Sequence, residues 1–271
     1  MGNRTAAQIR EHYELEKRIA ERLRESTSEE RKSLYTASYD ELFRALPHHP
    51  MLVDYSPADK QRQLEKDVRR LETFVGAETV YLEIGPGDCA VAFEIAKRAK
   101  KVYAIDVSEE ITKRADAPDN FELIISDGSS IPIEAESVDV AFSNQLMEHL
   151  HPDDSVRQLE NLFRVLKSGG TYFCITPNRL TGPHDISRNF DATAAGLHLK
   201  EYTVTELDAL FRRVGFSKTR VFADVGKVFL PVLPYKIAEK LLDRLPHSLR
   251  KRLTFNKIVR FLLGVKLVAT K

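Results

Sequence analysis

The 271-residue sequence predicts an α/β fold: a doubly wound, mostly parallel sheet of seven strands with helices on both faces. A helical cap precedes the sheet and a helical insertion precedes the last strand. Three observations carry this expectation. From Thr79 onward, short apolar runs alternate with stretches of helical apolar spacing. The runs are apolar at successive positions, as strands covered on both faces are. The run Val80-Tyr81-Leu82-Glu83-Ile84 passes directly into Gly85-Pro86-Gly87-Asp88 and then a helical pattern, which reads as strand, tight turn and helix start.

The first 75 residues read as cap. Residues 6–25 form a charged helix with a thin apolar stripe of Ile9, Tyr13, Ile19 and Leu23. Thr27 and Glu30 make a capping box that opens a second helix to about Leu46, stopped by Pro47-His48-His49-Pro50. Ser56-Pro57 starts a third helix, running to about Phe74. Residues 76–271 then hold the sheet. Strands are expected at 79–84, 101–106, 121–126, 138–143, 171–176, 217–225 and 264–270. Helices are expected at 89–99, after Ser108, at 153–166 and from the Thr203–Glu206 capping box to Val214. Lys167-Ser168-Gly169-Gly170 reads as a turn. Residues 178–202 are irregular, and a loop of that length inside a compact domain is usually functional. Residues 231–262 read as a basic helical insertion.

Composition narrows the class. With 42% hydrophobic and 30% charged residues the chain is an ordinary water-soluble type, and no apolar run reaches the roughly 20 residues of a membrane span. Met1-Gly2-Asn3-Arg4 leads into charged residues, so no secretory leader is expected. Cys89 and Cys174 sit in apolar segments and read as reduced core thiols, which suits a cytoplasmic location. The net charge of +1 hides an asymmetry: residues 73–226 carry 16 basic and 24 acidic side chains, and residues 227–271 carry 11 and 2. The basic end suits an anionic substrate, a membrane surface or nucleic acid, or is simply a solvated helical face.

In open α/β sheets ligands bind beyond the carboxyl ends of the strands, near the point where strand order reverses. That rule selects Glu83, Gly85, Gly87, Asp106, Asp127, Gly128 and Asn144, each at or just after a strand end. Gly85 to Ala90 also fits the dinucleotide pattern, with Asp106 placed for a ribose. Glu83, however, would repel a pyrophosphate and suits a ligand carrying an ammonium group instead.

The stretches Val80–Cys89, Val102–Val107, Ile125–Ser129, Ser137–Leu150 and Leu166–Asn178 together resemble class I S-adenosylmethionine-dependent methyltransferases of the broad small-molecule type that includes quinone-biosynthesis enzymes. The resemblance covers about residues 79 to 178 and implies S-adenosyl-L-methionine as cofactor. It implies Gly85 and Gly87 at the amino-acid part, with Glu83 near its ammonium. It implies Asp106 at the ribose hydroxyls, Val107 on the adenine, and Asp127 with Gly128 at the adenine edge. Asn144 and Gln145 would lie beside the methionine part and the methyl donor, with Tyr39 over it, and Glu148-His149 matches a pair common in this subgroup, just past the fourth strand.

The expected activity is methyl transfer to a small-molecule acceptor, foremost an oxygen, with a histidine as base. Carbon or nitrogen of a quinone, lipid-linked or glycan substrate, or a non-catalytic cofactor-binding module, are the alternatives. His48, His49, His149, His184 and His198 are candidate bases, His184 and His198 foremost, with Asp185 placed to orient an imidazole. His184, Asp185 and His198 match no metal-binding spacing, so no metal is expected. Nucleic acid is not the expected partner, since Ser143-Asn144-Gln145-Leu146 stands where a base-modifying motif would be. The 231–262 segment would close the substrate side, meet a second subunit or touch a membrane.

Overall fold

The computed structural model describes residues 4–49, 56–108, 117–224 and 227–271; the helix expected after Ser108 lies outside them. Helix α1 (Ala6–Glu25) and helix α2 (Ser28–Ala45) both begin with capping boxes, Thr5 with Gln8 and Thr27 with Glu30. Helix α3 (Pro57–Leu71) starts at Ser56, whose hydroxyl accepts the Asp59 N–H, with Pro57 in the first turn where its missing N–H costs nothing.

The sheet contains β1 (Val80–Ile84), β2 (Lys101–Asp106), β3 (Phe121–Ile125), β4 (Val138–Asn144), β5 (Leu166–Thr176), β6 (Lys218–Ala223), β7 (Val228–Pro231) and β8 (Val265–Thr270). Their spatial order is β3-β2-β1-β4-β5-β8-β6-β7. The five strands from β3 to β5 are parallel, and the three beyond are joined antiparallel. The sheet thus has eight strands rather than seven. The unforeseen one, β7, falls where the helical insertion was expected to begin. It folds back on β6 at the sheet edge, where Pro231 needs no ladder partner for its nitrogen.

Between the strands lie α4 (Ala90–Ala96), α5 (Pro152–Val165) and α6 (Val204–Val214), the last opened by the Thr203–Glu206 capping box. The turn expected at 167–170 is drawn into β5, with Gly169 at φ +78° where the register against β4 shifts. The insertion is three helices, α7 (Leu233–Asp243), α8 (His247–Thr254) and α9 (Lys257–Leu263). Pro246 separates the first two, because proline removes a donor and clashes with the preceding turn.

Strand alternation divides the core. Tyr81 faces Leu71, Val75 and Ile95, on the layer of α3 and α4. Leu82 and Ile84 face Ile19, Leu42, Leu159 and Phe211, on the layer of α1, α2, α5 and α6. The cap therefore shares the core of the sheet. Its firmest anchor is Arg31, which donates from Nε to Asp154 at 2.5 Å and from Nη2 at 3.1 Å, with both residues 2% exposed. Tyr35 donates to the same carboxylate at 2.8 Å and accepts the His151 N–H at 2.9 Å. Thr36 donates to the Val107 carbonyl at 2.6 Å, so α2 lies across the end of β2.

Candidate active site

Order reverses between β1 and β4, and a cavity opens at the carboxyl ends of the strands there. Its floor is Ile84, Gly85 and Gly87 from β1 and its turn. One wall is Ile105, Asp106, Val107 and Ser108, and another is Gln145, Leu146, His149 and Leu150. Tyr35 and Tyr39 roof it from α2, and Gly128 and Gln158 close the far end. Of the expected residues, Tyr39, Gly85, Gly87, Asp106, Val107, Gly128, Gln145 and His149 meet here.

The turn is shaped for a ligand. Gly85 has φ +68° and Gly87 φ +54°, backbone that side chains disfavour. A Cβ on Gly85 would stand 3.0 Å from Leu146 Cδ1, whereas one on Gly87 would meet nothing within 4 Å and would project into the open cradle. Asp106 sets the polar wall. Its Oδ1 accepts the N–H groups of Val107 at 2.7 Å and Ser108 at 3.2 Å. Burial raises its pKa, against those backbone donors. A bare glycine cradle beside a fixed carboxylate at the end of the second strand fits an amino-acid-bearing nucleoside with a ribose diol. Glycines 85 and 87 would border its amino-acid part, Asp106 its hydroxyls, and Val107 with Leu146 a flat apolar ring.

Other expected residues lie outside the cavity wall. Glu83 faces the opposite side of β1, where the Tyr81 hydroxyl donates to it at 3.4 Å. Burial, and then the neighbouring Asp67, push its pKa well up, so it sits behind the turn rather than on it. Asn144 donates to Asp67 at 3.2 Å on that same side. Asp127 holds its own loop: Oδ1 accepts the Ser129 and Ser130 N–H groups at 2.9 and 2.7 Å, and Oδ2 the Ser130 hydroxyl at 2.8 Å. Gly128, not Asp127, reaches the wall. His184 is turned away, its Nε2 2.8 Å from Thr181 Oγ1, with burial lowering its pKa.

Behind His149 the fold builds a buried polar layer. His149 Nδ1 lies 3.1 Å from the Leu197 carbonyl, which can only accept, so Nδ1 carries the hydrogen and Nε2 is the open lone pair. Burial lowers its pKa to about 3, and it stays neutral. The His198 ring is 4.9 Å away, edge to face, with Nδ1 2.8 Å from Glu201 Oε1. Burial opposes the charge on His198, but the Glu201 hydrogen bond and then Glu148 raise its pKa. Glu148 is fully buried and its pKa is raised by burial to about 7. Its Oε2 accepts from Thr176 at 2.8 Å, and its Oε1 has no hydrogen-bond partner among the described residues.

Two trios among the described residues could hold a divalent ion, Glu148 with His149 and His198, and His12 with Glu16 and His49. The trio of His184, Asp185 and His198 does not form; Asp185 spends its oxygens on the Ser187 and Gly196 N–H groups. His49 belongs to the second trio, 3.8 Å from Glu16, and away from the cavity wall with His48.

Several site residues escaped the sequence reading. Tyr35 lies one helical turn before Tyr39 and so shares its face, a signal that could have found it. His12 and Glu16 have the same i, i+4 relation on α1 and bond at 2.6 Å. Gln158, which donates to the Gly128 carbonyl at 2.6 Å, carries no local signal.

Comparison with known proteins agrees with this geometry. A family described as a methyltransferase domain matches residues 82–174. A probable S-adenosylmethionine-dependent methyltransferase of Mycolicibacterium smegmatis is 32% identical over 138 residues, 50% of this chain and 51% of that protein. Phosphoethanolamine N-methyltransferase 1 of Triticum aestivum is 28% identical over 142 residues, 50% of this chain and 28% of that protein. The chain thus spans about half the length, or less, of these curated relatives. Among solved structures, the methyltransferase in complex with the Haloferax volcanii Trm112 activator superposes with a TM-score of 0.56 at 17% identity, over 78% of this chain and 91% of that one. Haemonchus contortus phosphoethanolamine N-methyltransferase 2 gives 0.52 at 14% identity, over 76% and 52%. At such identities these likenesses show the fold. The matched region begins inside β1 and ends inside β5, the half-sheet that builds the cavity, so residues 82–174 match a methyltransferase domain and half of the chain is similar to S-adenosylmethionine-dependent methyltransferases.

Proposed function

We propose that the protein transfers a methyl group from S-adenosylmethionine to an oxygen of a small-molecule acceptor, with His149 accepting the proton. The observation that carries this reading is the tautomer of His149. Its Nδ1–H is committed to a backbone carbonyl, and its neutral ring lines the cavity wall beside Gln145 and Leu146. The cofactor, when bound, supplies an electrophilic methyl on a sulfonium whose departure leaves a neutral thioether. The chain then has to align the acceptor, exclude water and take a proton. Tyr35 and Tyr39 on α2 exclude water from above. A ring whose pKa is near 3 cannot keep a proton at neutral pH. The layer behind it can, since His198 and Glu148 both hold protons more tightly than usual. His198, foremost among the expected bases, thereby becomes the proton's resting place rather than the group that meets the acceptor, and His184 has no part in the transfer.

The test is an assay of S-adenosylhomocysteine release over phenols, sugars, quinones and amines. An oxygen acceptor whose turnover falls about 10²-fold or more in His149→Ala supports the reading. Turnover confined to amines and unchanged in that variant sinks it. A nitrogen acceptor is the second reading, favoured by the relatives named as phosphoethanolamine N-methyltransferases and by the buried, unpartnered Oε1 of Glu148, which suits an ammonium hydrogen.

The cap and the loop over 178–202 enclose the acceptor side, and the insertion serves as a membrane-surface contact. Leu233, Ile237, Leu241, Leu249, Leu253, Phe255 and Leu262 are exposed large apolar residues, gathered on α7 to α9 beside Lys and Arg. A basic amphipathic surface of this kind binds anionic headgroups through its charges and acyl chains through its apolar side. Sedimentation with phosphatidylglycerol vesicles, absent with phosphatidylcholine alone and weakened in Leu249→Ser/Phe255→Ser, is the expected result. Equal binding by the double variant would remove the contact.

A further inference from the structure

A second cavity lies between the irregular loop and the insertion, apart from the cofactor cradle. It encloses about 330 Å³. Six side chains give it its character: His184 and Arg188 from the loop, and His247, Arg250, Lys251 and Arg260 from α8 and α9. Among the described residues no acidic one lines it. Thr181, Asn189 and Thr254 also line it.

This concentration of charge has little compensation among the described residues. Among the described residues no carboxylate pairs with Arg188, Lys251 or Arg260, and Arg250 reaches only the half-exposed Asp243, at 3.5 Å. Arg260 is close enough to His184 to help lower its pKa, though burial is the larger cause. Four guanidinium and ammonium groups around one opening repel each other, and an anion placed among them relieves that repulsion. Arginine forks match the oxygens of a phosphoryl group in particular. The setting sharpens the contrast, because residues 73–226 are acidic on balance.

We propose that this cavity binds a phosphoryl group, as a phosphomonoester or as the headgroup of an anionic lipid. Its position links it to the transfer site. His184, on its wall, donates its backbone N–H to Glu201 Oε1 at 2.6 Å, and the same oxygen holds His198 beside His149. One residue layer thus separates the anion from the proton-holding group. The site does not depend on the methyl acceptor being an oxygen, and its occupancy can be read without turnover.

The experiment is calorimetry of the full chain with glycerol 3-phosphate and inorganic phosphate at low salt, and sedimentation with phosphatidylcholine vesicles containing or lacking phosphatidic acid. Arg188→Ala/Arg250→Ala and Lys251→Glu are the site variants, and Lys240→Glu on α7, outside the cavity, is the control for general positive charge. S-adenosylhomocysteine binding certifies that each variant is folded. The expected result is saturable binding weakened on the order of tenfold or more by the site variants and not by Lys240→Glu. Binding of the soluble phosphates identifies a phosphorylated small molecule. Binding of phosphatidic acid vesicles, competed by inorganic phosphate, identifies a headgroup. Failure of a folded, S-adenosylhomocysteine-binding chain to bind any of these probes overturns the proposal, as does an equal loss in Lys240→Glu.

Discussion

Asp106 and Glu148 are both carboxylates near the ends of strands, and the fold gives them opposite work. Asp106 keeps backbone donors on Oδ1 and stands in the cavity wall. Replacing it with alanine removes the proposed acceptor for a ribose diol, and each lost hydrogen bond to a charged group is worth about 1.5–3 kcal/mol. S-adenosylhomocysteine affinity measured by calorimetry should therefore fall on the order of 10²-fold in Asp106→Ala. Unchanged affinity would misplace the cofactor. Glu148 has no solvent and one empty oxygen, and burial lifts its pKa to about 7. A proton acceptor must be unprotonated to act, so turnover should rise as pH climbs through about 7 and level above it. In Glu148→Gln the rise should move away from that pH. Because Glu148 and His198 interact, the measured midpoint belongs to the pair. The stability consequence has the other sign. An acid whose folded pKa is raised stabilises the fold at low pH, and that contribution is lost as pH rises from the ordinary carboxylate value through about 7.

Elements hold these residues in place through a few buried contacts. Helix α2 carries Tyr35 and Tyr39 over the cavity, and Arg31 one turn earlier clamps it to Asp154 at the start of α5. Burial would raise the Asp154 pKa, but Arg31 and then Tyr35 lower it, so the carboxylate is charged and depends on its partner. Arg31→Ala strands a buried charge, a change that costs about 3–5 kcal/mol in comparable pairs. Thermal melting should drop by several degrees, and hydrogen exchange should rise first along α2. A melting temperature within a degree of the parent would show that the clamp is ornamental. The irregular loop over 178–202 is held to the cap in the same manner. Arg24 donates to the carbonyls of Ala195, Gly196 and His198, and the Leu197 N–H donates to Glu16 at 3.1 Å. Those bonds fix Leu197, and Leu197 fixes the tautomer of His149.

Across the whole molecule the cap and the sheet share one hydrophobic cluster. Leu15, Ile19 and Leu23 of α1 lie in the same cluster as Leu82 and Leu162. Cooperative units follow shared cores, so calorimetry and far-ultraviolet circular dichroism should report a single unfolding transition for cap and sheet together. A separate early transition lost on deleting residues 4–46 would make the cap an independent unit.

The strand–helix alternation, the capping boxes at Thr27 and Thr203 and the glycine turn were all legible in the chain, because each is a local preference written in adjacent residues. The seam of acids at strand ends was legible for the same reason, once a parallel sheet was expected. Local pattern could not say which way each acid faces. A strand sends alternate side chains to opposite layers, so Glu83 and Asn144 went to the α3 side and Gly85 with Asp106 to the cavity. Nor could it separate three near-equivalent histidines. His184 turns outward to the basic cavity, His198 is buried against Glu201, and His149 alone of the three lines the cavity beside the glycine turn. Those choices rest on contacts between residues as far apart as Glu16 and Leu197, 181 positions along the chain. By itself the sequence determined the parallel strands and the glycine turn between β1 and its helix, since these depend on neighbours in the chain. Only the tertiary structure decided which histidine meets the cavity, because that depends on neighbours in space.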